Sequence, residues 1–262
     1  MCASFFRFLA FCLLLSAGFS GCRSATSSDG VSGRPLRVAA ASDLEPAFLE
    51  LGRVFTARTG REVVFSFASS SVLAQQVGQG APMDLFAAAN RELVEQLERG
   101  GQIVQGSARP YARGRLVMWT RRGDALPAEL PALREGRYQR ISLANPEHAP
   151  YGQAAVAALR AGGLFDELRP RLVYGENVRQ AHQYVATGNA NVALGALSLA
   201  VAAGEKGHYT VVPDALYPPL VQVLGVIKSG DQAAAGRFAE LVLSAAGQEI
   251  LKKHGFLPPP GT

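Results

Sequence analysis

The chain has 262 residues, 48% hydrophobic and 18% charged, with 28 glycines and 15 prolines. That length holds one large or two medium globular domains, and the composition excludes a disordered chain, a collagen, a coiled coil and a disulfide-knotted miniprotein. The formal charge of +5 and pI near 9.3 do not make a nucleic-acid binder. Basic residues are scattered apart from pairs such as Arg121-Arg122 and Lys252-Lys253, with no Lys/Arg stripe among aromatics.

Phe5 to Phe19 is an apolar run broken only by Arg7 and Ser16. It is too short for a membrane span and reads as the h-region of a signal peptide over residues 1–21. The run ends in Phe19-Ser20-Gly21-Cys22, which resembles the lipobox of bacterial lipoproteins, where a small residue precedes an acylated Cys that becomes the mature N-terminus. The resemblance implies lipidation at Cys22 and membrane attachment there; ordinary signal-peptidase cleavage beside an incidental Cys22 is the alternative. Cys2 and Cys12 fall in the segment to be removed, so the mature chain has no second thiol for a disulfide. Residues 22–35, rich in Ser and Gly, read as a flexible tether.

From Leu36, β-branched runs alternate with helical patterns, the signature of βαβ units. Leu36–Ala40 reads as a strand. Leu44–Arg58 carries Leu44, Phe48, Leu51 and Phe55 at helical spacing and stops at Gly60. A strand at Val63–Phe67, a helix from Ser70 or Ser71 to Gly78 or Gly80, a strand at Asp84–Ala88 and a helix at Arg91–Arg99 follow. Arg115–Thr120 is a strand leading out of this first lobe. A second series comprises strand Arg140–Ala144, helix Tyr151–Arg160, strand Arg171–Tyr174, helix Val178–Thr187, strand Asn191–Ala196 and strand Tyr209–Val212. After Pro218-Pro219, the apolar stretch Leu220–Ile227 and a helix over Gln232–Ala245 return to the first lobe. The expected division is residues 36–114 and 214–262 for lobe 1 and 115–213 for lobe 2, with crossings near Gly114 and Asp214 and a cleft between.

No enzyme signature is present: no G-x-S-x-G, no Walker loop and no G-x-G-x-x-G after a strand. His148, His182, His208 and His254 lack metal-ligand spacing and read as surface or packing residues. A hydrolase built on Ser42 or Ser70 would need a base, and neither motif holds a His or Lys placed for one. What recurs is a strand ending in small hydroxyl or Gly residues before a helix, at Ala41-Ser42, at Ser69-Ser70-Ser71 and at Pro150-Tyr151-Gly152. Helix starts expose unpaired N–H groups and partial positive charge, so several aimed at one point bind an anion without Lys or Arg. The plainer reading is that each serine only caps its own helix.

The segments RVAAASDL (37–44), SFASSSVL (66–73), GAPMDLF (80–86), NPEHAPYG (145–152), Glu176–Val178 and Thr187-Gly188-Asn189 resemble the periplasmic molybdate-binding proteins of ABC transporters. The resemblance runs from about Leu36 to Phe256. It implies an α/β, two-lobed class II periplasmic binding protein fold, with mixed sheets flanked by helices and a ligand cleft between the lobes. It further implies that Ser42 and Ser70 donate to a tetrahedral oxyanion from the first lobe, and Tyr151 and Val178 from helix starts in the second. Asp43 follows the binding serine and is expected to turn its carboxylate from the anion, offer at most its backbone N–H, and cap the helix from Leu44. One branch of the family has a binding Tyr where this chain has Ala196, and another has Tyr where this chain has Tyr151. The implied protein is a non-enzymatic, monomeric, lipid-anchored extracytoplasmic receptor. It takes no cofactor and delivers molybdate or tungstate to an ABC permease. A receptor for another oxyanion such as sulfate, or a sensory anion-binding module, is the alternative.

Overall fold

The computed structural model describes residues 33–259. The expected signal peptide, Cys22 and the tether as far as residue 32 lie outside them. Among the described residues no helix is long and apolar enough to cross a membrane.

The first sheet begins with β1 (Leu36–Ala41), whose side chains are buried on both faces apart from Arg37, as a central parallel strand requires. Its neighbours are β2 (Val63–Ala68) and β3 (Leu85–Ala88), both parallel to it. Between them run α1 (Glu45–Thr59), ended by Gly60 at φ 70°, and α2 (Ser70–Gly78). After α3 (Arg91–Arg99) comes β4 (Arg109–Gly114), and the chain passes at Arg115 into β5 (Leu116–Arg121) of the second sheet. The sequence reading missed β4 because Arg-Pro-Tyr-Ala-Arg-Gly has neither apolar alternation nor a continuous apolar run.

The second sheet is built from β6 (Ile141–Ala144), β7 (Leu172–Gly175), β8 (Val192–Ala196), β5 and β9 (Gly207–Val211). Its helices are α4 (Pro150–Ala161), the single turn α5 (Phe165–Leu168), α6 (Val178–Ala186) and α7 (Leu197–Ala203). Helix α7 was also missed, since Leu-Ser-Leu-Ala-Val-Ala-Ala has no polar face to reveal its period. The chain returns through β10 (Leu220–Val226) to the first sheet and ends in α8 (Gln232–Leu243) and α9 (Ala245–Lys253). One helix was expected over Gln232–Ala245. Ser244 is instead extended, and its hydroxyl accepts from Gly247 N at 3.2 Å, capping a second helix.

The sheet orders are β2-β1-β3-β10-β4 and β7-β6-β8-β5-β9. Each has three parallel strands followed by an antiparallel one, β10 or β5, that arrives straight from the other sheet. In the first sheet Phe48, Phe55, Phe65 and Phe238 pack α1 and α8 onto the strands, with Phe55 and Phe238 edge to face at 5.5 Å. In the second, α4 lies close on β6 because Gly152 has no side chain; a Cβ there would stand 2.2 Å from Ala144 O. The parallel strands β1, β2, β3 and β6 end at Ala41, Ala68, Ala88 and Ala144. Ligands of open α/β sheets bind outside such carboxyl ends.

Candidate functional site

Ser42, Asp43, Ser70, Tyr151 and Val178, which the sequence left scattered over 137 positions, line one small cavity with Ala41, Ala68, Ser69, Ala89, Ala149 and Pro150. About 200 Å³ of atom-free space lies between these residues, its open mouth included. Neither Lys, Arg nor His lines it. A larger groove, lined by Asn90, Gln153 and Pro218 among others, shares Ala89 and Pro150 with the cavity.

Each wall is a helix start. Ser42 opens a 3-10 turn, Ser42–Leu44, directly after β1. Ser70 is the first residue of α2; the extended residue before it, Ser69, makes no capping bond and its buried hydroxyl has no partner. The hydroxyl of Ser70 is buried and accepts from Ala89 N at 3.1 Å, leaving its own proton to donate. Capping alone therefore does not explain Ser69 and Ser70. Helix α4 has Pro150 at its first position and no side-chain cap, with Tyr151 next. Helix α6 is capped by Asn177, which takes Gln180 N at 3.0 Å, and Val178 is its first residue. First-turn N–H groups have no acceptor inside their helix. An anion beside each such start gains about 0.3–1 kcal/mol, up to ~2 when partly buried.

The lobes touch around this cavity. Ser198 Oγ, on α7, donates to Asp43 O at 2.6 Å, and Ser71 N donates to His148 O at 3.3 Å. Glu45 and Arg179 pair at 3.2 Å across the cleft rim. At the return crossing Tyr217 Oη donates to Asp214 at 2.8 Å and accepts from Leu116 N at 3.1 Å.

The expected cap from Asp43 is not found, since neither the 3-10 turn nor α1 has a side-chain cap. The Asp43 carboxylate accepts instead from Gln222 Nε2, on β10, at 2.6 Å. Burial pushes this carboxyl up to about 7, against the nearby Tyr151 phenol, the backbone and the Gln222 amide. The phenol makes no hydrogen bond of standard geometry. Burial, followed by the Asp43 charge, holds the Tyr111 and Tyr151 phenols well above the usual range, so both are neutral donors. Gly114 makes room for Tyr151, because a Cβ there would stand 2.1 Å from its hydroxyl. Ala196 is buried at the end of β8 and does not line the cavity.

Sequence reasoning missed Gln222, Ser198 and Tyr111, and read Gly114 only as a crossing. Nothing local marks them; Gln222 lies 179 positions from the carboxylate it holds. Among the histidines, His182 is buried against Trp119, ring centroids 4.6 Å apart, and burial depresses it to about 3. His254 and His148 approach Glu50 and Glu176. No group of His, Cys, Asp and Glu among the described residues could hold a metal ion.

The family described as bacterial extracellular solute-binding protein matches residues 36–257. The molybdate-binding protein ModA of Rhodobacter capsulatus is 34% identical over 230 residues, 86% of this chain and 89% of the relative. A putative ABC transporter substrate-binding lipoprotein of Bacillus subtilis, YvgL, is 26% identical over 93% of each chain. The solved periplasmic molybdate-binding protein of Azotobacter vinelandii superposes with a TM-score of 0.81 at 31% identity, covering 86% of this chain and 99% of that one. The fold is that of the class II periplasmic binding proteins, and the protein is a binding protein rather than an enzyme. The chain belongs to the bacterial extracellular solute-binding proteins and, among them, to the family of the periplasmic molybdate-binding proteins.

Proposed function

We propose that this protein captures molybdate or tungstate outside the cytoplasm, as a lipoprotein anchored through Cys22, and delivers it to the permease of an ABC transporter. The observation that carries the reading is the cavity itself. Helix starts from both lobes meet there, Ser42, Ser70 and Tyr151 are among the residues that line it, and no cationic side chain does. Molybdate and tungstate are fully deprotonated dianions at neutral pH, so their site needs donors and no proton acceptor. Each hydrogen bond to a charged ligand contributes about 1.5–3 kcal/mol, so several of them together outweigh the ordering costs. Selectivity then rests on cavity size, because sulfate has the same charge and shape with shorter bonds. The oxyanion is cargo, and the protein takes no cofactor. Anchoring is supported by the lipobox-like Phe19-Ser20-Gly21-Cys22 and by the likeness to a lipoprotein. Transfer to a permease is supported by the ABC transporter relative.

A thermal-shift titration of the purified protein with molybdate, tungstate, sulfate and phosphate tests this. A ligand at 1,000 times its Kd stabilises the native state by about 4 kcal/mol, well within the resolution of a melting curve. Stabilisation by molybdate and tungstate alone is expected. A response to sulfate or phosphate alone replaces the substrate, and no response to any of the four refutes the reading.

A further inference from the structure

Asp43 is the one acidic residue that lines the cavity, and its carboxyl has surroundings unusual for a charged group. It is 1% exposed, and among the described residues no Lys, Arg or His forms an ion pair with it. A buried carboxylate without a cation is costly, and a dianion next to it makes the ionised form costlier still. Around it, the Tyr151 phenol stands against the carboxyl without a hydrogen bond of standard geometry, and two further buried polar atoms, Tyr111 Oη and Gln222 Oε1, have no partner. The last of these matters most. Gln222 now donates its amide to Asp43 Oδ2; with the amide turned over, its orphan oxygen accepts the proton of a neutral carboxylic acid at the same position.

We propose that Asp43 takes up one proton from solvent as the dianion enters, so that anion capture by this protein is coupled to protonation of a single buried carboxyl. The inference rests on the oxyanion reading above and adds to it a residue that sets the pH range of capture. The charge balance is simple: carboxylate, proton and dianion go to carboxylic acid and bound dianion, with Gln222 changing from donor to acceptor. Burial already brings this carboxyl up to about 7 before any anion is considered.

The side chains that meet the Asp43 carboxyl supply no rival titration near neutral pH; His148, before α4, faces Glu176 and lends Ser71 only its carbonyl. Tyr111 on β4 and Tyr151 on α4 are held neutral, and α7 contributes only the Ser198 hydroxyl, to the Asp43 carbonyl. On α6, Arg179 is paired with Glu45 of α1, and burial keeps His182 neutral.

Calorimetric titration of the purified protein with sodium molybdate at pH 8, in two buffers of different protonation enthalpy, counts the protons directly. Roughly one proton taken up per anion is expected, with Kd rising about tenfold from pH 8 to pH 9. Asp43→Asn keeps the shape, removes the titration, and is expected to bind with no proton uptake and a flat pH profile. If that variant does not fold, the wild-type proton count alone decides. Tight wild-type binding with no uptake overturns the coupling and leaves the molybdate reading intact; uptake that persists in Asp43→Asn overturns the assignment to this residue. Absence of molybdate binding from pH 6 to 9 overturns the molybdate reading and the coupling with it.

Discussion

Replacing Ser70 with alanine tests the site at its most constrained hydroxyl. Ser70 Oγ is buried and accepts from Ala89 N at 3.1 Å, so its single proton is available to the cavity. Two losses follow from deleting one atom. The anion loses a hydrogen bond to a charged ligand, about 1.5–3 kcal/mol, which raises Kd roughly 10- to 150-fold. The Ala89 N–H loses its acceptor in a buried setting, about 1–3 kcal/mol of stability, and in a chain of this size each kcal/mol lowers Tm by about 2–4 °C. Calorimetry with molybdate reads the first loss, and a melt without anion reads the second. Ser71→Ala is the control, because the contact of Ser71 to His148 is made by its backbone; its Kd should stay within about twofold of wild type, inside the usual range of surface changes. A Ser70→Ala protein that melts early but binds molybdate as tightly as wild type would make this hydroxyl purely structural and refute the donor assignment.

Gly114→Ala should weaken anion binding about tenfold or more, since the new methyl meets the Tyr151 hydroxyl at 2.1 Å and one displaced donor to a charged ligand is worth that much; calorimetry measures it. Asp84→Ala should cost about 2–5 kcal/mol in urea unfolding, because two backbone N–H groups, those of Arg37 and Asp231, and the Arg34 guanidinium lose their acceptor. His182 is neutral in the fold, with its pKa depressed to about 3, so its contribution is intact above the unfolded value near 6.5. It is lost as pH falls from there toward 3, by ~1.4 kcal/mol per pH unit. Urea melts between pH 4 and 7 should show that slope in wild type and a shallower one in His182→Leu.

The candidate site was legible in outline because the helix starts that line it come from local sequence events. A strand that ends in Ala-Ser or Ala-Ser-Ser before a helix announces an exposed helix start wherever it occurs, whereas Val178 was reached through the family resemblance and is placed in the fold by the Asn177 cap. What the sequence could not show is the second layer. Gln222 and Ser198 reach Asp43 only because β10 and α7 are brought to it by the crossings, and no window of neighbouring residues contains that information. The same limit explains the misplaced role of Asp43. Read locally, an Asp before a helix caps it; in the fold, its carboxylate is drawn off by an amide that arrives at the end of the chain. The missed elements have a related cause, since β4 and α7 are shaped by the partners they meet and carry no periodicity of their own.

The cavity's economy of charge bears on selectivity. A lysine or arginine would bind any dianion, because a flexible cationic arm follows the ligand's size. Helix starts cannot follow it. Helix α4 is fixed to β6 by the contact of Gly152 with Ala144 O, and α6 to β7 by Gly175, where a Cβ would stand 2.8 Å from Ala181 N. The helix starts of the second lobe are thereby rigid relative to each other, and the distance left to adjust is that between lobes. In this structure that distance is set where Ser198 meets the Asp43 carbonyl and Ser71 N meets the His148 carbonyl. An anion that fills the space at this distance receives every donor at full strength. On the proposed reading a smaller anion leaves some of them stretched, and at low dielectric the loss is steep, so rigid neutral donors are expected to disfavour sulfate in the thermal-shift titration.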